Sequence, residues 1–153
     1  KFDIVFCHNA VYHAENKDLA LQNLSSCLND TKESFVSITT NSEKHMLNVY
    51  EIGRKLDSNF PTDRIIDTFT EEIADKMLGK HFTVDKKLEL EKLKVTDLEI
   101  LMNYVASGVE PRNITLKDTF YEEYSKIAKQ EIDNKGCFEI IKRSPLYICK
   151  KVN

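Results

Sequence analysis

The chain has 153 residues, 41% hydrophobic and 31% charged, which suits one globular domain able to bury a core. A net charge of -3 and a pI near 5.8 argue against a nucleic-acid partner, whose footprint is a strongly basic face. No apolar run approaches the length needed to span a bilayer and no signal peptide is visible, so a cytoplasmic protein with no membrane partner is expected. Lys1 stands where a methionine would start a gene product, which suggests a trimmed chain or a piece.

Four cysteines, Cys7, Cys27, Cys137 and Cys149, have no close-paired spacing. They read as small hydrophobes, not as a disulfide framework, which belongs to small secreted domains short of core. Three Asn-x-Ser/Thr triplets, starting at Asn23, Asn29 and Asn113, read as chance in a chain without an export signal.

Phe2, Ile4, Val5, Phe6 and Cys7 form a nearly unbroken apolar run, the mark of a strand buried on both faces of a parallel sheet. It ends in the polar cluster Cys7-His8-Asn9, and helix-forming sequence follows from Glu15. Ala20, Leu24, Cys27 and Leu28 share one face of that helix, which breaks at Asn29-Asp30. Ser34 to Thr40 reads as a second strand, so strand, crossover helix and strand make a parallel βαβ unit.

Thr40-Asn41-Ser42-Glu43 has the spacing of a capping box, which predicts a helix start there, with Met46, Val49, Tyr50, Gly53 and Leu56 inward. Asp57 to Phe69, with Pro61, reads as loop, and Thr70 opens a short helix stopped by Gly79. Phe82, Val84, Leu88 and Leu90 alternate as a strand, and a parity change before Leu93 marks a bulge or strand end near Glu91-Lys92. The charged runs Asp85-Lys86-Lys87 and Glu89 to Lys92 read as its solvated face. A second capping box, Thr96 to Glu99, leads a helix ended by Gly108, and a longer helix spans roughly Leu116 to Asn134. Cys137 to Val152 reads as an antiparallel hairpin around Lys142-Arg143-Ser144-Pro145.

The segment Phe2 to His13 resembles the fourth strand and following turn of class I S-adenosylmethionine-dependent methyltransferases. Thr39 to Met46 is similar to a segment after the fifth strand in a bacterial subgroup of that family, with Ser42 in the place of a glycine. Val95-Thr96-Asp97 is similar to the lead into that subgroup's helical insertion. The resemblance implies an α/β fold: a partial Rossmann-like methyltransferase sheet, strands four to seven with the last one antiparallel, and an inserted helical pair. It further implies one domain over 1–153, the carboxyl-terminal portion of a methyltransferase, with residues 95–135 as a helical cap. The family's glycine-rich cofactor turn is not matched, because the four glycines, Gly53, Gly79, Gly108 and Gly136, are isolated. The expectation is a fragment inactive by itself that does not bind S-adenosylmethionine tightly.

Cys7, His8, Asn9, Tyr12 and His13 form the one dense cluster of chemically able side chains. The resemblance places Cys7, His8 and Asn9 against the cofactor, and Tyr12 and His45 against a small-molecule acceptor. It makes His13 the candidate general base, a role that suits an imidazole near neutral pH. A packing role competes for Tyr12, equally for His13 and more strongly for Cys7, and an exposed helix-start histidine is the competing reading of His45. Zinc binding by Cys7, His8 and His13 is not expected, since adjacent strand residues point to opposite faces and no fourth ligand is evident. Tyr104, Phe120, Tyr121 and Tyr124 lie in the insertion, where Phe120 and Tyr124 read as core.

The transfer implied for the parent is direct displacement at the methyl sulfonium, with the protein supplying position, desolvation and a candidate general base. A non-catalytic α/β interaction module is the competing reading. Removing the family's first strand would leave Phe2 to Cys7 as an open edge, which predicts a homodimer through that edge or its flanking surfaces.

Overall fold

The computed structural model describes residues 1–61, 68–88 and 90–152. The chain forms two compact units: Lys1–His45, Arg64–Leu90 and Arg143–Asn153 make the first, and Met46–Asp63 and Glu91–Lys142 the second. The part of the expected loop that falls on residues 62–67, and Glu89 in the expected charged strand face, lie outside the described residues.

The first unit is built on a four-stranded sheet. Strand β1 (Ile4–His8) leads through helix α1 (Lys17–Cys27) to β2 (Phe35–Thr39), and the two strands pair parallel with Ile4 opposite Phe35 and His8 opposite Thr39. Strands β3 (Phe82–Lys87) and β6 (Leu146–Lys151) complete it in the order β1-β2-β6-β3, with β6 antiparallel to both neighbours. The expected βαβ unit and antiparallel last strand are therefore present. One face of this sheet carries Val36, Ile38, Tyr147, Cys149 and Phe82. It packs against Leu21 and Leu28 at the first helix and against Ala74 and Leu78 of α3 (Glu71–Met77) and the turn after it.

β1 departs from the doubly buried strand that its composition predicts. Val5 and Cys7 lean on the core, but Ile4 is 47% and Phe6 70% exposed. Among the described residues nothing pairs the outer edge of β1 between Ile4 and His8, β1 being terminal in the sheet order, although just before it Phe2 is bridged to Leu28. Apolar composition records that a strand is fit to be buried, not that a cover is at hand.

The second unit contains helices α2 (Leu47–Leu56), α4 (Leu98–Val109) and α5 (Phe120–Lys135) and a two-stranded ribbon of β4 (Leu90–Val95) and β5 (Phe138–Arg143). Its core joins Val49, Phe60, Leu101, Val105, Phe120, Tyr124 and Phe138. Phe120 and Tyr124 are core as read, each 0% exposed, whereas Tyr104 and Tyr121 reach the surface. The Asp97 carboxylate accepts from the backbone N–H groups of Glu99 and Ile100, so aspartate caps α4 in place of the expected Thr96–Glu99 box. α5 stops at Gly136, whose φ of 78° is the left-handed conformation that glycine adopts without strain.

Three expectations are corrected. The closing hairpin does not form: β5 pairs with β4, and β6 has both edges occupied by β2 and β3, leaving none for β5. The strand from Phe82 breaks after Lys87, earlier than the parity change marks, and β3 and β4 belong to different sheets. The helix after β2 starts at Leu47, not at the capping box. The Thr40 hydroxyl is spent on the Phe69 carbonyl, and Met46 turns the chain with a φ of 53° just ahead of the helix.

Candidate functional site

β1 and β2 run parallel and end side by side, and such carboxyl ends are where open α/β sheets hold ligands. At this end of β1 the chain turns sharply: Asn9 has a φ of 47°, a left-handed value that asparagine tolerates better than most side chains. The turn is pinned to β2 by the Asn9 N–H, which donates to the Thr39 carbonyl at 3.0 Å and lies 3.2 Å from the Thr39 hydroxyl. His8 Nε2 is 2.8 Å from Ser37 Oγ, and its ring stands edge-on to Phe6 at 5.6 Å. Cys7 points the other way, half-buried among core residues, and burial pushes its thiol up from the ordinary range. Near neutral pH it is a protonated thiol, not a nucleophile.

Val11–His13 forms one 3-10 turn, closed by the His13 N–H on the Ala10 carbonyl at 3.0 Å. Val11, 3% exposed, anchors it in the core, and this anchoring turns His13 outward. Tyr12 is half-buried, with its ring centroid 4.5 Å from that of His13. His13 makes no side-chain hydrogen bond among the described residues, so an incoming group could use either ring nitrogen.

His45 belongs to the connection after β2 and is only 8% exposed. Its Nδ1 lies 3.1 Å from the Arg143 backbone nitrogen, 3.3 Å from the Arg143 carbonyl oxygen and 3.2 Å from Ser144 Oγ. His8, Asn9, Tyr12 and His13 thus share one turn, Cys7 lies on the opposite face of the strand from His8, and His45 is packed against the Arg143–Ser144 bend. Among the described residues no group of three or more His, Cys, Asp or Glu side chains could hold a metal ion.

The strongest electrostatic feature of the first unit escapes sequence reading. Glu71, 3% exposed in the first turn of α3, takes a two-pronged contact from Arg143, with Nε at 2.7 Å and Nη2 at 2.9 Å. Lys86 adds a third contact at 2.8 Å and reaches Asp75 at 2.6 Å, and the Tyr147 hydroxyl donates to Asp75 at 2.9 Å. The Arg143 guanidinium is the main cause that holds the Glu71 carboxyl down at about 2, against the opposing pull of burial. Lys86 is therefore not simply part of a solvated strand face. The partners are 72 positions apart for Glu71 and Arg143, and no local pattern announces such a pair.

As a fit for S-adenosylmethionine these residues are partial. The Cys7–Asn9 turn offers polar groups at a strand end, but its one left-handed residue is Asn9 and its N–H is already spent on Thr39. No glycine lies near it to let a ligand approach the backbone closely.

No protein-family model and no curated protein matches the chain. Among solved structures, a candidate methyltransferase from Bacillus halodurans superposes with a TM-score of 0.52 and 16% identity, over 99% of this chain and 70% of that one. The YcgJ protein from Bacillus subtilis superposes with a TM-score of 0.51 and 9% identity, over 100% of this chain and 65% of that one. The chain therefore has a mixed α/β fold of the methyltransferase kind and spans about two thirds of the length of these neighbours. No helix among the described residues is long and apolar enough to cross a membrane.

Proposed function

We propose that the chain is the acceptor-side, carboxyl-terminal portion of a cytoplasmic S-adenosylmethionine-dependent methyltransferase acting on a small molecule, and is inactive by itself. The observation that carries this reading is the sheet order β1-β2-β6-β3 with β6 antiparallel, ending at β1 in the polar Cys7–His13 segment. Cys7, His8 and Asn9 would border the donor, Tyr12 the acceptor, and His13, outward-facing, would take the acceptor proton. His45 would border the acceptor from its buried place beside the Arg143–Ser144 bend. A titration of the chain with S-adenosylmethionine, followed by NMR, tests this. Binding no tighter than about millimolar, worth roughly 4 kcal/mol, is expected, with shifts confined to residues 7–13. Micromolar affinity, or shifts elsewhere, would show that the site is misplaced.

The bare edge of β1 supports a partner reading as well. In a full methyltransferase the family's first strand would cover this edge; in this chain a second copy takes its place. Two β1 strands paired antiparallel about Val5 set each Ile4 across from the partner's Phe6, so the exposed apolar row is self-complementary. Sedimentation at micromolar concentration should show a dimer or larger species, and Ile4→Lys should shift it toward monomer. A wild-type monomer would remove the dimer from the proposal.

A further inference from the structure

The first unit carries an open groove of about 590 Å³ at the end of the sheet opposite the Cys7–His13 turn. Because β6 runs antiparallel to β2, Lys150 and Lys151 close their strand beside the start of β2, next to the Asp30-Thr31-Lys32 turn that leads into it. Those residues line the groove together with Thr83 and Val152. Its volume falls among those of small-molecule sites, about 300–1,000 Å³.

The charge of the groove is the reverse of the chain's. Three lysines line it against one aspartate, in a protein of net charge -3. Asp30 is already occupied: Lys1 reaches it at 2.8 Å and Lys151 contacts it too, and these two ammonium groups hold its carboxyl down at about 2. Lys150 Nζ donates to the Lys32 carbonyl at 3.1 Å, which fixes the ammonium over the turn and leaves its other N–H groups for a ligand. The Lys32 ammonium and the Thr83 hydroxyl have no partner among the described residues. Thr83 stands directly across from Lys150 in the β3–β6 pairing, so the two side chains share one face.

Lysine is a point-charge donor that suits phosphate, whereas planar recognition of carboxylate favours arginine, which the lining lacks. Nor does any aromatic side chain line the groove, so a nucleobase would find nothing to stack on. We propose that this groove binds a small ring-free polyphosphate, held by the Lys32, Lys150 and Lys151 ammonium groups with the Thr83 hydroxyl donating to a phosphate oxygen. The inference does not rest on methyl transfer, whose residues lie at the other end of the sheet.

Pyrophosphate is the probe, titrated by NMR into the whole chain at low ionic strength. Citrate serves as a carboxylate of similar charge, and ADP as a diphosphate that bears a base. Pyrophosphate should saturate, with shifts confined to residues 30–32, 83 and 150–152. It should bind about fivefold tighter than citrate and no weaker than ADP. Lys32→Gln and Lys150→Gln should each weaken it about fivefold, the loss of one charge-assisted contact at an exposed site. Lys129→Gln, on α5, should change nothing. Asp30→Asn should tighten binding, because it removes the one negative group and releases Lys151. Should Lys150→Gln lower the thermal unfolding temperature, Lys32→Gln decides alone, since its ammonium supports no contact among the described residues. Absence of saturation, citrate bound as tightly as pyrophosphate, or ADP bound more tightly overturns the proposal. Full affinity in Lys32→Gln, a matching loss in Lys129→Gln, or weaker binding in Asp30→Asn does the same. None of these outcomes bears on S-adenosylmethionine at residues 7–13, so the two readings fail separately.

Discussion

Arg143→Met is expected to lower stability by about 2 to 3 kcal/mol near neutral pH. Removing one partner of a fully buried ion pair costs about 3–5 kcal/mol. The lower figure applies because Lys86 stays on Glu71 and the Arg143 side chain is 30% exposed. The pH dependence separates charge from packing. Glu71 has a folded value of about 2 against an ordinary 4.5, so its ionisation contributes stability that is complete above about 4.5 and is lost as pH falls through about 2. In Arg143→Met the folded value moves back up, and the gap in urea midpoint between wild type and variant should hold from pH 6 to about 4.5 and then shrink toward pH 2. Pairing the change with Glu71→Gln should recover part of the loss, because no buried charge is then left under-compensated. A gap independent of pH would mean that Arg143 stabilises the fold through its aliphatic stem alone.

Gly53→Ala should destabilise the chain by about 2 kcal/mol, although alanine is the better helix former by about 1 kcal/mol. A Cβ at Gly53 would lie 2.2 Å from Cδ1 and 2.5 Å from Cε1 of Phe60. Phe60 cannot swing clear without breaking its stack on Phe120. Overpacking of this kind costs about 1–3 kcal/mol, and more where the neighbour is held. In the double variant Gly53→Ala/Phe60→Leu the two losses should be clearly less than additive. Thermal unfolding of the four proteins in the cycle measures this; strict additivity would show that the ring moves aside freely.

Much of the fold was legible because local patterns agreed with tertiary demand. Phe35, Val36 and Ile38 declared β2, Asp97 stood at a helix start, and the resemblance implied the antiparallel last strand. The failures share a cause: pairing is decided by which edges are free, and a sequence does not display edges. Ser144-Pro145 reads as the turn of a hairpin, but β6 has no edge left for β5. Thr40 to Glu43 has capping chemistry, but the Thr40 hydroxyl finds the Phe69 carbonyl first. Of the site cluster, the contiguity of His8, Asn9, Tyr12 and His13 was visible. The opposite facing of Cys7 followed from strand alternation. What could not be read was the burial of His45, which depends on a contact with a bend 98 positions away.

The place of β6 has a consequence for biosynthesis. The last strand in sequence is an inner strand of the sheet, and both β2 and β3 reach their partner only through it. Until Leu146 to Lys151 leave the ribosome, β1–β2 and β3 are separate pieces with open borders, and the long-range pairing that joins them is the slow kind. A product of interrupted translation, stopped before Leu146, would not be a smaller folded protein. It would expose unpaired strand edges, the state that chaperones hold and that otherwise aggregates.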